Sequence, residues 1–563
     1  MLPLAGVLGL WSTFAPARAQ EPPDTIASRI PALFAPFARP SAPGCAVGVF
    51  RAGDVVFSAG YGAADAANGI PLSDTTGVWL ASASKQFTAF AVLLLAADGK
   101  LRLTDDVRLY VPEMPDLGQT ITIRDLLRHT SGLREQWNLL YFAGWRASDV
   151  ETKSDVLGLL ERQRALNHHP GEEFLYNNTG YFLLAIVVER VSGQPLRDFI
   201  VSRIFGPLNM TRSDVVEDVG QVVPGLAAGY WGHDPAELRG ARPPYSFAGP
   251  TGVVSTLRDL ALWDANFYSP RVGTWALLDS MTTNGRLADG TTFGYGMGLF
   301  LGTHRGHRMI NHAGADPGYR AEFLRFPDDS LSVAVFCNAF DIAPTPLALQ
   351  VADLYLPARD SVAVEAPPVV RHRESLSPSV LAGLYWNSAS GETRGFFHED
   401  GQLVLDGGGE GRFPLAPVGE NAYRLTAAPR RYVFTFEQES DGLAVREDIE
   451  GSPVKTFRRV MDEAHRPAPL QELAGSYYSS ELEVSWRFVV TDERLVLLRH
   501  RMQPDTLTPI FGDVFQSAND FILEFTPPGP GVPASVAVST ERVRRLRFTR
   551  LVRAGDTSSR PIF

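Results

Sequence analysis

A chain of 563 residues, 45% of them hydrophobic, is too long for one ordinary domain and apolar enough to build buried cores. Roughly two to four domains are expected. The net charge of -11 argues against a nucleic-acid partner, which a basic stripe would mark. Nothing in the composition points to collagen, coiled coil or bulk disorder.

Residues 1–19 read as a signal peptide. An apolar stretch from Leu2 to Phe14 is too short to span a bilayer, and Ala17-Arg18-Ala19 before Gln20 resembles a cleavage site, although no Lys or Arg precedes Arg18. Export to the periplasm or the medium is the expectation, and no later run is long and apolar enough for a transmembrane helix. Residues 45–63 alternate as two strands about a turn at Ala52-Gly53-Asp54. A helix is predicted over 82–98 from Phe87, Phe90, Ala91, Leu94 and Leu95 at helical spacing, with Gly99 at its C-terminal cap. Further helices are predicted at 122–129, 153–164, 178–191, 195–204 (Pro195 in its first position) and 256–268, and strands at 308–312, 319–327 and 331–337. Strands thus lie at both ends of the first 350 residues with a helical block between them. The fold class that follows is α+β, with an antiparallel sheet assembled from sequence-distant ends. Cys45 and Cys337 both lie in apolar, strand-like runs and read as two buried small hydrophobes rather than as a disulfide.

The pattern changes near 357. Residues 357–374 read as a Pro-rich linker, and beyond it short alternating strands with Gly, Asp and Pro turns replace the helices. Leu381-Ala382-Gly383-Leu384-Tyr385 recurs as Leu473-Ala474-Gly475-Ser476-Tyr477, and Leu403-Val404-Leu405 as Leu495-Val496-Leu497, at an offset of about 92 positions. Two small antiparallel β modules, 375–462 and 463–563, account for this, and closure into barrels would remove their exposed edges.

Three motifs carry chemistry. In Ser82-Ala83-Ser84-Lys85, positions i and i+3 of a helix share a face, so the hydroxyl and the amine can meet. A Lys desolvated near a helix start binds its proton less tightly and can then accept one from Ser. The chain has only four lysines (Lys85, Lys100, Lys153 and Lys455), and this one is set among small and aromatic residues. In Tyr176-Asn177-Asn178, a Tyr beside a cation can move a proton, and Asn178 can bond both Lys85 and a substrate carbonyl. The plainer reading puts Tyr176 in a core and Asn178 at a helix cap. In His312-Ala313-Gly314, His can bind a substrate carboxylate or support the proton network, Gly leaves room for a substrate backbone along an edge strand, and the Ala315 N–H can join that of Ser82 in an oxyanion hole. A lone, satisfied His is the alternative.

In this order the motifs give S-x-x-K, Y-x-N and H-x-G, and the chain resembles the serine β-lactamase-like family, which includes class C β-lactamases, DD-peptidases, D-aminopeptidases and esterases. The segments Val78–Ser82, Thr122–Leu133, Phe174–Tyr181, Thr251–Leu260 and Tyr295–Gly298 agree with it, over roughly residues 25–355. The resemblance implies a catalytic domain over 20–356 with an all-helical insertion beside the sheet. It also implies that Ser82 is an acylated nucleophile, Lys85 its proton acceptor and Tyr176 a partner acid/base, with Asn178 orienting Lys85 and the substrate amide. His312 stands where class C β-lactamases have Lys, which shifts the expectation from antibiotic hydrolysis toward a D-aminopeptidase- or esterase-like reaction on a small amide, peptide or ester. DD-carboxypeptidase or β-lactamase action is the alternative within the family, and a non-catalytic binding protein the alternative outside it. Neither His129 nor Ser131 is assigned a catalytic role; their segment is expected to shape a loop near the cleft. Trp137, Tyr245 and Tyr319 are pocket candidates by position. D-aminopeptidases of the family carry two C-terminal β-barrels, one of which sends a loop toward the site, and the tail is similar by length and copy number. No cofactor and no metal are implied: there is no HExxH, no P-loop and no dinucleotide fingerprint. The expected partner is a small-molecule or short-peptide substrate.

Overall fold

The computed structural model describes residues 28–359, 376–407, 412–425, 431–440, 442–449, 452–460 and 469–551. The expected signal peptide and all but the first three residues of the expected linker lie outside them.

Strands β1 (Cys45–Arg51) and β2 (Asp54–Tyr61) form the expected hairpin. Its turn uses Ala52 (φ 48°) and Gly53 (φ 91°), a pair of left-handed residues whose twist matches the flanking strands. A Cβ on Gly53 would lie 2.3 Å from the Ala265 methyl, so this turn also needs the missing side chain. After the helical block come β3 (Phe300–His304), β4 (His307–Asp316), β5 (Tyr319–Phe326) and β6 (Leu331–Cys337). The six strands form one antiparallel sheet in the order β3-β4-β5-β6-β1-β2. β1 and β6, from opposite ends of the domain, are central neighbours. Almost all of their residues are buried, as strands covered on both faces require.

One face is covered by α4 (Pro344–Tyr355) and the short helix Ile30–Phe34. The other carries the helical block, in which α1 (Lys85–Ala97), α2 (Asn178–Ser192) and α3 (Leu257–Asn266) bury most of their residues. α1 is apolar nearly all round, as expected of a helix enclosed by others. Its Phe87 and Phe90 rings pack on Trp263 of α3, with centroids 4.9 and 5.2 Å apart. α3 is tied to the sheet by Asp264, which accepts from Arg325 Nε (2.7 Å) and the Ser332 hydroxyl (2.8 Å) in a fully buried cluster. Thr122 and Thr152 open their helices through capping boxes with Asp125 and Asp155. Two expected helices differ in detail. Residues 81–84 are a 3-10 turn before α1, and the helix from Leu196 ends at Ile200 in a π-helical turn over 201–205, with Pro195 at the N-cap.

The cysteine expectation is corrected. Cys45 and Cys337 are register partners on β1 and β6, their Cα atoms are 4.1 Å apart, and they form a disulfide. Each cysteine run was legible as a strand. That the two strands are adjacent is a property of the assembled sheet.

The two β modules follow. Eight strands from Gly383–Asn387 to Lys455–Arg459 close into a barrel, and nine from Gly475–Ser479 to Leu546–Arg550 curl without pairing their end strands. The sequence repeat has a structural counterpart. Tyr385 and Tyr477 each donate to the carbonyl four residues earlier (Leu381, 2.8 Å; Leu473, 3.0 Å). Arg459 and Arg550 each bond carbonyls beside the preceding Gly.

Replacing both Cys45 and Cys337 by Ala is expected to lower stability by about 2–4 kcal/mol, because the bond closes a loop spanning most of the domain. The measurement is the denaturant midpoint of the double variant against wild type; an unchanged midpoint contradicts the expectation.

Candidate active site

Ser82 lies on the 3-10 turn Ala81–Ser84, partly exposed, one turn ahead of Lys85 at the start of α1. Lys85 is wholly buried. Its amine donates to Ser82 Oγ (3.1 Å), Asn178 Oδ1 (2.7 Å) and the Pro250 carbonyl (2.8 Å), and lies over the Tyr176 ring, 4.9 Å from its centroid. Burial pulls its proton affinity down to about 7; Glu135 and Asp316 oppose that shift, and Arg542 adds to it.

Two adjacent asparagines divide the work at the start of α2. Asn177 is the N-cap, its Oδ1 accepting from the Gly180 N–H at 2.8 Å. Asn178 is thereby free to serve Lys85. Glu135, also buried, accepts from the Asn178 N–H (2.7 Å) and Nδ2 (3.1 Å), which turns the amide oxygen toward Lys85. Sequence reasoning assigned no role to Glu135: it follows the HTSGL segment with no distinguishing spacing, and its partner is 43 residues away.

Burial raises the Tyr176 phenol well above its usual 10. It stays protonated and interacts with Ser82, so a relay fits it and a standing phenolate does not. Its ring packs on His129 (4.4 Å) and Phe300 (6.0 Å). His129 is itself buried, with Nδ1 accepting from the Asn177 N–H at 3.0 Å, and forms part of the aromatic wall behind Tyr176. The Ser131 hydroxyl accepts from the Leu133 N–H within its own loop.

His312 sits on β4, its Nδ1 2.6 Å from the Ala313 carbonyl. A carbonyl only accepts, so Nδ1 carries the proton. Burial and the nearby Lys85 push the imidazole down to about 3. A neutral ring whose one N–H is engaged with the Ala313 carbonyl offers an anion no donor, so the reading in which His312 binds a substrate carboxylate is corrected. The reading of Gly314 is corrected too. A Cβ there would fall 2.1 Å from the Leu80 carbonyl oxygen, so the protein's own chain fills the space reserved for a substrate backbone. The glycine brings β4 against the nucleophile turn. The open edge itself exists: β3 pairs with β4 only as far as Phe300↔Asn311, leaving 312–316 bonded to β5 alone, with Ala313 and Ala315 exposed.

Two further carboxyl groups are buried in this region. Asp316 accepts from Trp79 Nε1 (2.8 Å) and the Thr251 hydroxyl, and burial raises it to about 6. Glu151 accepts from Trp137 Nε1 (2.8 Å), and burial raises it to about 8. Trp137 packs on Tyr245 (5.1 Å), so two of the pocket candidates meet here. Tyr319 stacks on Trp79 and donates to the Ala227 carbonyl within the core.

The second β module closes one side of this region. Trp486 Nε1 donates to the Phe142 carbonyl (3.0 Å), Phe142 packs on Phe521 (5.3 Å), and Arg134 bonds Glu481 (2.7 Å). Its loop between Ser539 and Leu546 reaches residues 135 and 167–173. Among the described residues no group of three or more His, Cys, Asp or Glu could hold a metal ion.

Glu135→Gln removes a charge that raises the Lys85 proton affinity and leaves an amide facing Asn178 Nδ2. Its acid-side pH limb is expected at lower pH than in wild type, with reduced kcat. A pH profile of kcat/KM checks this, and a limb that does not move, or moves up, contradicts it.

The Beta-lactamase family model matches residues 30–354. A penicillin-binding protein of Bacillus subtilis (strain 168) is 28% identical over 407 residues, covering 69% of this chain and 89% of that protein. A D-aminopeptidase of Brucella anthropi is 29% identical over 300 residues, 53% of this chain. The chain spans little more than half of that relative, 56% of its length. The octameric penicillin-binding protein homologue from Pyrococcus abyssi has the same fold, with a TM-score of 0.53 and 23% identity over 77% of this chain and 99% of that one. The chain belongs to the β-lactamase family of serine hydrolases.

Proposed function

We propose that the protein cleaves a small amide or peptide through an acyl-enzyme on Ser82, with the chemistry of a D-aminopeptidase; esters of the same acyl group fit the same scheme. One observation carries the reading: a buried amine with a proton affinity near 7 stands 3.1 Å from the Ser82 hydroxyl. As Ser82 Oγ bonds to the substrate carbonyl carbon, its proton passes to neutral Lys85 Nζ. That proton then goes to the leaving nitrogen, with the Tyr176 hydroxyl as relay, and the C–N bond breaks. Water attacks the acyl-enzyme, its proton returns by the same route, and Ser82 is released. The N–H groups of Ser82 and Ala315 are assigned to the carbonyl oxygen, whose negative charge peaks in the tetrahedral intermediate. The D-aminopeptidase relative supports the amide preference, and a neutral His312 in place of a lysine weighs against β-lactamase action. Export to the periplasm or the medium is part of the same reading, supported by the Cys45–Cys337 disulfide, which persists in oxidising compartments.

A fluorophosphonate probe is expected to label wild type and to spare Ser82→Ala; equal labelling removes the nucleophile assignment. Lys85→Ala is expected to lower kcat on D-amino-acid amides by about three orders of magnitude or more. The neutral amine is the active form, so kcat/KM should rise as pH increases through about 7. A profile flat from pH 5 to 9 would show that Lys85 is not the base.

A further inference from the structure

Tyr176 stands in a stretch, residues 173–177, that belongs to no helix or strand. A proton relay nevertheless tolerates little misplacement of its hydroxyl. One residue of the distant HTSGL segment ties this stretch down. The His129 carbonyl accepts from the Leu175 N–H (2.9 Å), and its Nδ1 accepts from the Asn177 N–H (3.0 Å). The residues immediately before and after Tyr176 are thus both bonded to His129. The two rings also pack together, with centroids 4.4 Å apart. His129 does this from a left-handed backbone conformation (φ 58°), a costly state for a residue with a side chain.

The ring's proton is located by the same bonds. A backbone N–H donates to Nδ1, so that nitrogen carries no proton and the neutral ring holds its one proton on Nε2. Burial and the charge of Lys85 favour the same neutral state. Nε2 is buried beside the rings of Tyr181 (5.1 Å) and Tyr295 (4.7 Å), with no hydrogen-bond partner among the described residues. A buried donor left unpaired costs free energy. A phenylalanine would fill the same aromatic space without that cost. What the histidine adds is the acceptor at Nδ1.

We propose that His129 is a positioning residue for Tyr176: by accepting from the N–H groups on either side of it, His129 holds the phenol where it can pass a proton to the leaving nitrogen. The proposal rests on the relay role given to Tyr176 above. It singles out substrates whose leaving group needs that proton. An amine leaves only once protonated, whereas a nitrophenolate leaves as the anion. Loss of the Nδ1 acceptor therefore weighs on amide cleavage more than on the acylation of Ser82 by an activated ester.

The test uses the full chain and the ratio of kcat/KM on D-alaninamide to kcat/KM on p-nitrophenyl acetate. A loss of folded protein lowers both and cancels in the ratio. His129→Phe keeps a ring and removes the acceptor; it is expected to lower the ratio about tenfold or more. His129→Asn removes the ring, places an amide oxygen where Nδ1 was and tolerates the left-handed backbone; it is expected to change the ratio about threefold or less. A purely packing role predicts the opposite order, and that order, or an unchanged ratio in His129→Phe, overturns the proposal. Tyr176→Phe tests the reading beneath it. If that variant leaves the ratio unchanged, or the wild type cleaves neither substrate, the relay falls. Crystal structures of the two His129 variants then decide the positioning role: Tyr176 displaced in His129→Phe and in place in His129→Asn upholds it, and any other result overturns it.

Discussion

The amine of Lys85 is the constraint around which the rest is built. An ammonium taken wholly out of water costs several kcal/mol unless its donors are matched. Here three acceptors from three parts of the chain match them: the nucleophile turn, the start of α2 and the loop ending at Pro250. Each acceptor needs support of its own. Ser82 is held by the tight approach of β4 at Gly314, and Asn178 by Glu135 and by Asn177 taking the helix cap. The result is an amine close to balance between its two protonation states, a condition that an exposed lysine never meets at neutral pH.

Distance along the chain largely decided what could be read beforehand. Ser82 and Lys85 share a turn, so their meeting is a matter of helical spacing. The hairpin at Ala52-Gly53 and the repeated modules are likewise local or self-similar. Glu135 was not legible, because its value to Asn178 comes from a contact that no periodicity encodes. Which of two adjacent asparagines caps α2 is settled by backbone geometry at one residue. The charge state of His312 was hidden as well: the residue type suggests a titrating group, and only its surroundings make it a neutral one. Gly314 shows a subtler failure, in which the need for an absent side chain was clear and the body occupying the space was not.

The β modules are more than an appendage to the catalytic domain. The second packs aromatic rings against the helix Gln136–Phe142 and pairs its Glu481 with Arg134 just before that helix, and its core is continuous with that of the catalytic domain. Glu135 immediately precedes that helix, and its own N–H bonds to the Arg542 carbonyl. The group that orients Asn178 is therefore anchored on one side by a different module. The Arg542 carbonyl is joined to the amine by three hydrogen bonds in series, through Glu135 and Asn178, so a disturbance of the module interface has a short path to it.

The disulfide adds a property of another kind. Because Cys45 and Cys337 stand on the central strands contributed by the two ends of the domain, the chain between them, nucleophile included, is a covalent ring. A protease that cuts one exposed loop within the ring opens it without releasing a fragment. The nicked molecule keeps its mass until a reductant is added, and its pieces keep the connectivity needed to refold together. Single cuts within the ring would in this way leave together pieces that they would separate in a simple linear chain.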